Sequence, residues 1–366
     1  MKIIFDKADL SNGVQIASKA VPNNTTMSIL ECILIEASNG CIKMTTNDME
    51  LGIETIVKGS IKQEGSVAVV SKRLQEVVRK LPDGEITMST DDNYNVMISC
   101  GKLNITINGR SGEDFVLLPN IEKKESIELS MFTLKEAVRQ TIFSIGISDT
   151  NKIMSGIHMM IKDDQLKFTS LDGHRISIRK IQLKKSYEEK EFIVPGRTLN
   201  EISKIIDNDT EKNIMIYFSD SHMIFEFENT VIVSRLIDGK YFSVDRMLSS
   251  DYETKITVNN KEISDSIDRS MLFSREGNKK PIVLNISEGL LNISVNSTEG
   301  GMNDEINIES SGRDIRIGFN PKFLLDAMKV IDEESIDMYF VNPKAPCYIK
   351  DADESYIYMI LPVNLS

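Results

Sequence analysis

The sequence predicts an α+β protein built from three copies of one unit, each with two helices packed on antiparallel sheets. Three observations carry this. The strand-like runs "IKMTTND", "LKFTSLD" and "LNISVNS" begin at Ile42, Leu166 and Leu291, with offsets of 124 and 125. The runs "VAVVSKRLQEVVRKL", "FIVPGRTLNEISKII" and "IGFNPKFLLDAMKVI" place Val69, Val194 and Phe319 at two equal offsets of 125. Toward the end of each unit, Ile105 and Ile107 correspond to Val231 and Val233, then to Tyr356 and Tyr358, at offsets of 126 and 125. One such match arises by chance; several in one register mark an internal repeat.

Each unit opens with a strand running into a helix. "KIIFDKADLSNGVQIA" aligns with "SIELSMFTLKEAVRQT" at an offset of 124, and "KITVNNKEISDSIDRS" follows at 129. These openings predict helices over 10–23, 132–143 and 261–273. The later helices fall at 71–81, 197–206 and 320–331. Their apolar stripes are Leu74, Val77, Val78 and Leu81; Leu199, Ile202 and Ile206; Leu324, Ala327, Met328 and Ile331. Spacing of i, i+3, i+4, i+7 puts each stripe on one helical face. Period-two alternation marks the remaining runs as strands with one buried face. Boundaries near the charged runs "IEKKES" and "SSDYETK" give domains 1–122, 123–250 and 251–366.

Composition narrows the function. With 41% hydrophobic and 27% charged residues, the chain reads as a soluble globular protein. "MKIIFDKADL" has no long apolar run and no stretch is long enough to span a bilayer, so a cytoplasmic protein is expected. Cys32, Cys41, Cys100 and Cys347 form no CxxC pair, and the histidines are only His158, His174 and His222. Neither a disulfide frame nor a metal site is expected, and no cofactor. No GxxxxGK[ST], HExxH or GxGxxG is present.

The stretch "FTSLDGHRIS", residues 168–177, looks like the start of an active site, since Asp172, His174 and Arg175 stand around Gly173. The repeat tests that reading. Its counterparts are "NDMELG" and "NSTEGG", which have neither His nor Arg. Ser170 alternates within a strand and lacks the glycines of a nucleophile elbow. The plain reading is a hairpin turn at Asp-Gly.

Net charge is −12, which taken alone argues against a nucleic-acid partner. Its distribution reverses the argument. The six predicted helices hold thirteen Lys and Arg against seven Asp and Glu, a net +6. The basic residues include Lys19, Lys72, Arg73, Arg79, Lys80, Lys135, Arg139, Arg197, Lys204, Arg269, Lys322 and Lys329, with Lys261. If the copies form a ring, equivalent helices share one side. Their basic faces would then hold phosphate backbones without reading bases.

The chain resembles the bacterial DNA polymerase sliding clamp family, the beta subunit of the replicative polymerase, over its full length. The resemblance lies in "MKIIFDKADL", "TSLDGHRISI", "SRLIDGKYFSVDRML", "AMKVID" and "YMILPVNL". It implies three clamp domains per chain and a head-to-tail homodimer closing a six-domain ring around duplex DNA. It implies a non-catalytic processivity factor in DNA replication. Partners would be the replicative polymerase, the clamp loader, other polymerases and repair proteins, through short linear motifs. The helix residues above would face DNA. The closing interface would use Ile105 and Ile107 against Leu272 and Phe273. A partner-peptide pocket would use Met154, Leu171, Gly173, His174, Arg175, Ile176, Phe242, Arg246, Met247, Met359, Ile360, Leu361, Pro362 and Val363. The sequence departs from the family at "PNNTT", where an arginine is common, at Phe242, where a proline is, and at Asn364, where an arginine is; Ser366 extends the tail. Two alternatives stand beside this reading. A single-strand-binding protein would need aromatic stacking platforms, but the chain has no Trp and its helices are poor in aromatics. An enzyme would have to be built around His174.

Overall fold

A computed structural model describes residues 1–366 apart from 147–150, 250, 275–279 and 366. The chain forms two compact units, Met1–Leu134 with Glu201–Leu236, and Lys135–Asn200 with Ile237–Ser366.

Six α-helices are described: α1 Lys7–Ala17, α2 Ser71–Lys80, α3 Met131–Arg139, α4 Gly196–Ile205, α5 Asn260–Ser270 and α6 Pro321–Met328. Local chemistry fixes their starts. Asp6 caps α1 by accepting from Ala8 N, Asn259 caps α5 through Glu262 N, and Asn320 caps α6 through Lys322 N with Pro321 at the first position. The Asp6 cap explains why α1 begins three residues before the expected Leu10. The expected ends at residues 23, 143, 273 and 331 are too late for the same kind of reason. The chain tightens into 3-10 turns at Ser18–Ala20, Ile142–Ser144 and Met271–Phe273. After α6, Val330 N and Ile331 N bond back three residues, to Ala327 O and Met328 O.

In the first unit one antiparallel sheet of 13 strands carries the core. The apolar faces of α1 (Leu10, Val14, Ala17) and α2 (Leu74, Val77, Val78) pack with Ile3, Phe5, Ile33, Ile35, Val67 and Val69. Strand Leu51–Val57 pairs with Thr230–Arg235, from Leu51↔Ser234 to Thr55↔Thr230. The last pair adds a buried hydroxyl contact of 2.9 Å.

The second unit holds a seven-stranded and a four-stranded sheet. Ile263, Ile267, Leu324, Leu325 and Met328 of α5 and α6 fill the space against Ile256, Leu284, Ile293, Ile317, Phe340 and Tyr358. Strand Arg175–Pro195 pairs with Tyr356–Ile360, from Arg175↔Ile360 to Arg179↔Tyr356. This junction repeats the one between Leu51–Val57 and Thr230–Arg235.

The repeat is visible in the pairing itself. The first strand of each hairpin pairs with the strand entering the second helix: Ile33↔Val69, Ile157↔Val194 and Ile282↔Phe319. The chain therefore repeats one α+β unit three times. Leu324 is fully buried in this scheme. Leu324→Ala is expected to lower the unfolding free energy by about 2–5 kcal/mol. Chemical denaturation checks this, and an unchanged midpoint would remove Leu324 from the core.

Candidate docking pocket and charged surfaces

The turn at 172–174 joins two long strands, Gly156–Leu171 and Arg175–Pro195. Gly173 sits at φ +86°, with nothing within 4 Å of an added Cβ. The backbone conformation, not crowding, requires glycine there. Asp172 organises the turn: its Oδ1 accepts from His174 N (3.0 Å) and Arg175 N (3.2 Å), and its Oδ2 from Arg175 Nε (2.8 Å).

The side chain of Arg175 is nearly enclosed, at 7% exposure. Its remaining donors reach Asp326 Oδ2 (2.8 Å) and Phe143 O. The guanidinium carbon lies 4.2 Å from the centroid of Phe323. The imidazole of His174 stacks on the other side-chain neighbour it shares with Arg175, Phe323, at 6.0 Å between centroids. Asp172 is thus committed to Arg175 and to the turn amides, and Ser170 Oγ donates to Thr141 O (2.6 Å). The acid–imidazole–hydroxyl relay that the turn evokes is not assembled.

Beside the turn lies an apolar cavity of about 380 Å³, lined by Met154, Leu171, Gly173, His174, Arg175, Ile176, Phe242, Met247, Pro346, Met359 and Leu361. Three stretches build its walls. Leu361 N donates to His174 O (2.9 Å), which ties the C-terminal segment to the turn. The short helical turn Val244–Met247 is held by Tyr348, whose hydroxyl donates to Met247 O (3.1 Å) and accepts from Ser249 N (3.2 Å). Lys167 Nζ also reaches Asp245 Oδ1 (3.0 Å). Met and aromatic side chains over a few polar groups suit an apolar peptide.

Four of the expected pocket residues lie outside this lining. Ile360 is fully buried in the neighbouring core. Successive strand residues face opposite ways, so when Met359 lines the cavity Ile360 cannot. Val363 N donates instead to Gly318 O (2.8 Å), and Arg246 is exposed on the turn Val244–Met247. Pro362 also stands apart from the cavity. Pro346 and Tyr348, which sequence reasoning missed, come from the loop and strand after Phe340. No periodicity there signals a cavity wall.

The basic helix residues divide by company. Lys72, Arg79, Lys80, Lys261 and Lys329 are exposed, as are Arg73, which pairs with Glu76 (3.2 Å), and Lys322, which pairs with Asp326 (3.2 Å). Lys204 and Lys19 both approach Glu201, at 2.7 and 4.0 Å. Arg139 is held by Glu136 and Asp332, and Arg269 by Asp304. Arg197 is exposed and Lys135 half-buried. Ile105 and Ile107 sit on strand Leu103–Arg110, with Ile107 buried and Ile105 half-buried. Leu272 is 59% exposed on the turn Met271–Phe273.

Family profiles match along nearly the whole chain. They are described as the DNA polymerase III beta subunit N-terminal domain (residues 1–119), central domain (128–243) and C-terminal domain (245–364). A relative named "Beta sliding clamp" from Staphylococcus epidermidis is 32% identical over 357 residues, covering 94% of each chain. Among solved structures, a putative DNA polymerase III beta subunit from Eubacterium rectale is 54% identical, with a TM-score of 0.95 and full coverage of both chains. A DNA polymerase sliding clamp from Bacillus subtilis is 31% identical, also with a TM-score of 0.95 and full coverage.

Behind the cavity, His158 stacks on Tyr241 at 4.8 Å and 5°, with Glu191 Oε2 at 3.2 Å from its Nε2. Burial pushes this imidazole below its usual value, outweighing the pull of Glu191. The unfolded chain then binds the proton more readily. The stability that His158 contributes is complete above about pH 6.5 and lost as pH falls below it. His158→Phe keeps a ring over Tyr241 and is expected to flatten the decline in unfolding free energy between about pH 7.5 and 5. An identical decline in both proteins would exclude His158 as its source.

Proposed function

The chain belongs to the DNA polymerase III beta subunit family, and from that premise we propose how its residues close a ring, hold DNA and dock partners. The protein is a DNA sliding clamp: it encircles duplex DNA and tethers the replicative polymerase, which makes synthesis processive. The one observation that carries the ring is the unmatched pair of strands left after both internal junctions are made. In each junction the strand after the hairpin turn pairs with the last strand of the next copy. Among the described residues, the third copy's Gly300–Asn307 pairs only with Leu290–Ser297. Among those residues too, the first copy's Leu103–Asn108 pairs only with Asn95–Cys100, since Gly65–Val70 reaches no further than Gly109 and Arg110. Each is the strand type that the other needs.

A second copy of the chain supplies both partners at once, head to tail, and closes with twofold symmetry. Ile105 and Ile107 belong to one open strand. Phe273 lies beside Gly300 of the other, 3.2 Å from where its Cβ would stand, with Leu272 next to it. Exposed Lys72, Arg79, Lys80, Lys322 and Lys329 then give sequence-independent phosphate contacts inside the ring, as sliding requires. No catalytic step is assigned, because Asp172 and Ser170 are committed elsewhere.

Partners dock in the cavity beside Asp172–His174. It fits a short extended peptide with apolar side chains and one polar group such as glutamine. Replicative polymerase, clamp loader and repair proteins would share it, with Met154, Met247 and Met359 adapting the walls. The work of a replication clamp places it in the cytoplasm, with the chromosome.

Two outcomes are expected. In solution the protein is a dimer that, once loaded, stays on closed circular DNA and runs off linear DNA. A monomer retained equally on both would sink the ring. Leu171→Asp puts a charge on the cavity wall and should weaken a polymerase-derived motif peptide at least about tenfold while dimerisation persists. Unchanged affinity in calorimetric titration would rule the cavity out as the docking site.

A further inference from the structure

The turn that borders the cavity has a near-duplicate in the first copy. Asp48 Oδ1 accepts from Glu50 N (2.9 Å) and Leu51 N (2.6 Å), as Asp172 does from His174 N and Arg175 N. Asp48 N donates to Leu51 O, as Asp172 N does to Arg175 O. Met49 takes φ +75° where Gly173 takes +86°. The crossing strand is tied in the same way, Arg235 N to Glu50 O at 2.8 Å and Leu361 N to His174 O at 2.9 Å. Two walls of the cavity are therefore built twice.

The floor differs. Leu171 and Ile176 line the cavity; 124 residues earlier stand Asn47 and Gly52. In that first site another segment fills the space. Asn47 Nδ2 donates to Val116 O (3.1 Å) and Leu117 O (3.3 Å). A Cβ on Gly52 would lie 2.0 Å from Leu118 Cδ2, so the leucine rests directly on the bare backbone. Phe115, only 6% exposed, anchors the segment from one end.

We propose that the first copy carries a second peptide-docking groove and that the chain's own Val116–Leu118 segment is its resident occupant. The groove takes an extended apolar peptide, with backbone carbonyls on Asn47 and a branched aliphatic side chain on Gly52. Where Ile176 replaces Gly52, the floor already carries a side chain. The linker there stays back as a wall, with Phe242 standing 125 residues after Leu117. Tethering gives the occupant an effective concentration on the order of millimolar, so even weak binding excludes partners. The chain thus offers one open groove, not two. This rests on the reading of the second-copy cavity as a peptide groove.

The test uses the full-length dimer carrying Leu171→Asp, which closes the second-copy cavity. The probe is a fluorescent peptide of this chain's sequence 114–120, "DFVLLPN". With Leu118 intact, no saturable uptake is expected. With Leu118→Ala, one site per chain should appear, at least tenfold tighter than any residual binding to the parent. Adding Gly52→Leu should fill the groove and abolish that site. A dimeric, cooperatively unfolding Leu118→Ala chain that takes up no peptide overturns the proposal, as does a site that survives Gly52→Leu. If Leu118→Ala lowers cooperativity or breaks the dimer, Leu118→Val, which shortens the occupant and leaves Asn47 and Gly52 in place, decides by the same criterion. The underlying reading is judged separately, by whether Leu171→Asp alone abolishes binding of a polymerase-derived motif peptide.

Discussion

A β-strand at the side of a sheet presents backbone N–H and C=O groups that need a partner, and the middle copy in this chain brings two strands whose partners lie in its neighbouring copies. Leu51–Val57 finds Thr230–Arg235, and Arg175–Pro195 finds Tyr356–Ile360. Main-chain hydrogen bonds of this kind do not depend on side-chain identity. That is why junctions with different residues, Thr55 against Thr230 and Arg179 against Tyr356, share one geometry. The same independence leaves Leu103–Asn108 and Gly300–Asn307 complementary. A linear array would expose both, and the proposed closure by a second chain would remove both.

Side-chain identity enters where the junctions must differ. At one the strand begins Leu51-Gly52, at the other Arg175-Ile176. Arg175 replaces a simple aliphatic with a buried cation, and its cost is met by Asp172, Asp326, the Phe143 carbonyl and the Phe323 ring together. That network ties the turn to α6 on the side of His174. On the opposite side, Phe242 and Met247 sit on a linker held mainly by Tyr348 and by the Lys167–Asp245 pair.

Much of this was legible in the sequence. The helix stripes at Leu74–Leu81 and Leu324–Ile331 named core residues correctly because a helical face buries at a fixed period. The Asp-Gly turn was legible because glycine at positive φ has few other uses. Arg175 was placed beside the cavity, but its role as a buried strut was not legible, since Asp326 is 151 residues away. Ile360 was over-assigned, although the alternation of its own strand already turned it inward. Pro346 carried no signal, because a loop joins a cavity only through tertiary contacts.

If the helices face DNA, as proposed, the charge pattern meets the demands of sliding. Several helix cations are partly neutralised by neighbours, Arg139 by Glu136 and Asp332, Arg269 by Asp304, Lys204 by Glu201. An unopposed cation set would bind duplex DNA tightly, and each fixed phosphate contact would raise the barrier to moving along it. Nearby carboxylates would soften that attraction while leaving Lys72, Arg79, Lys80 and Lys329 exposed. A net charge of −12 is then no obstacle to encircling DNA. Retention comes from topology, and electrostatics needs only to keep the duplex centred without gripping it.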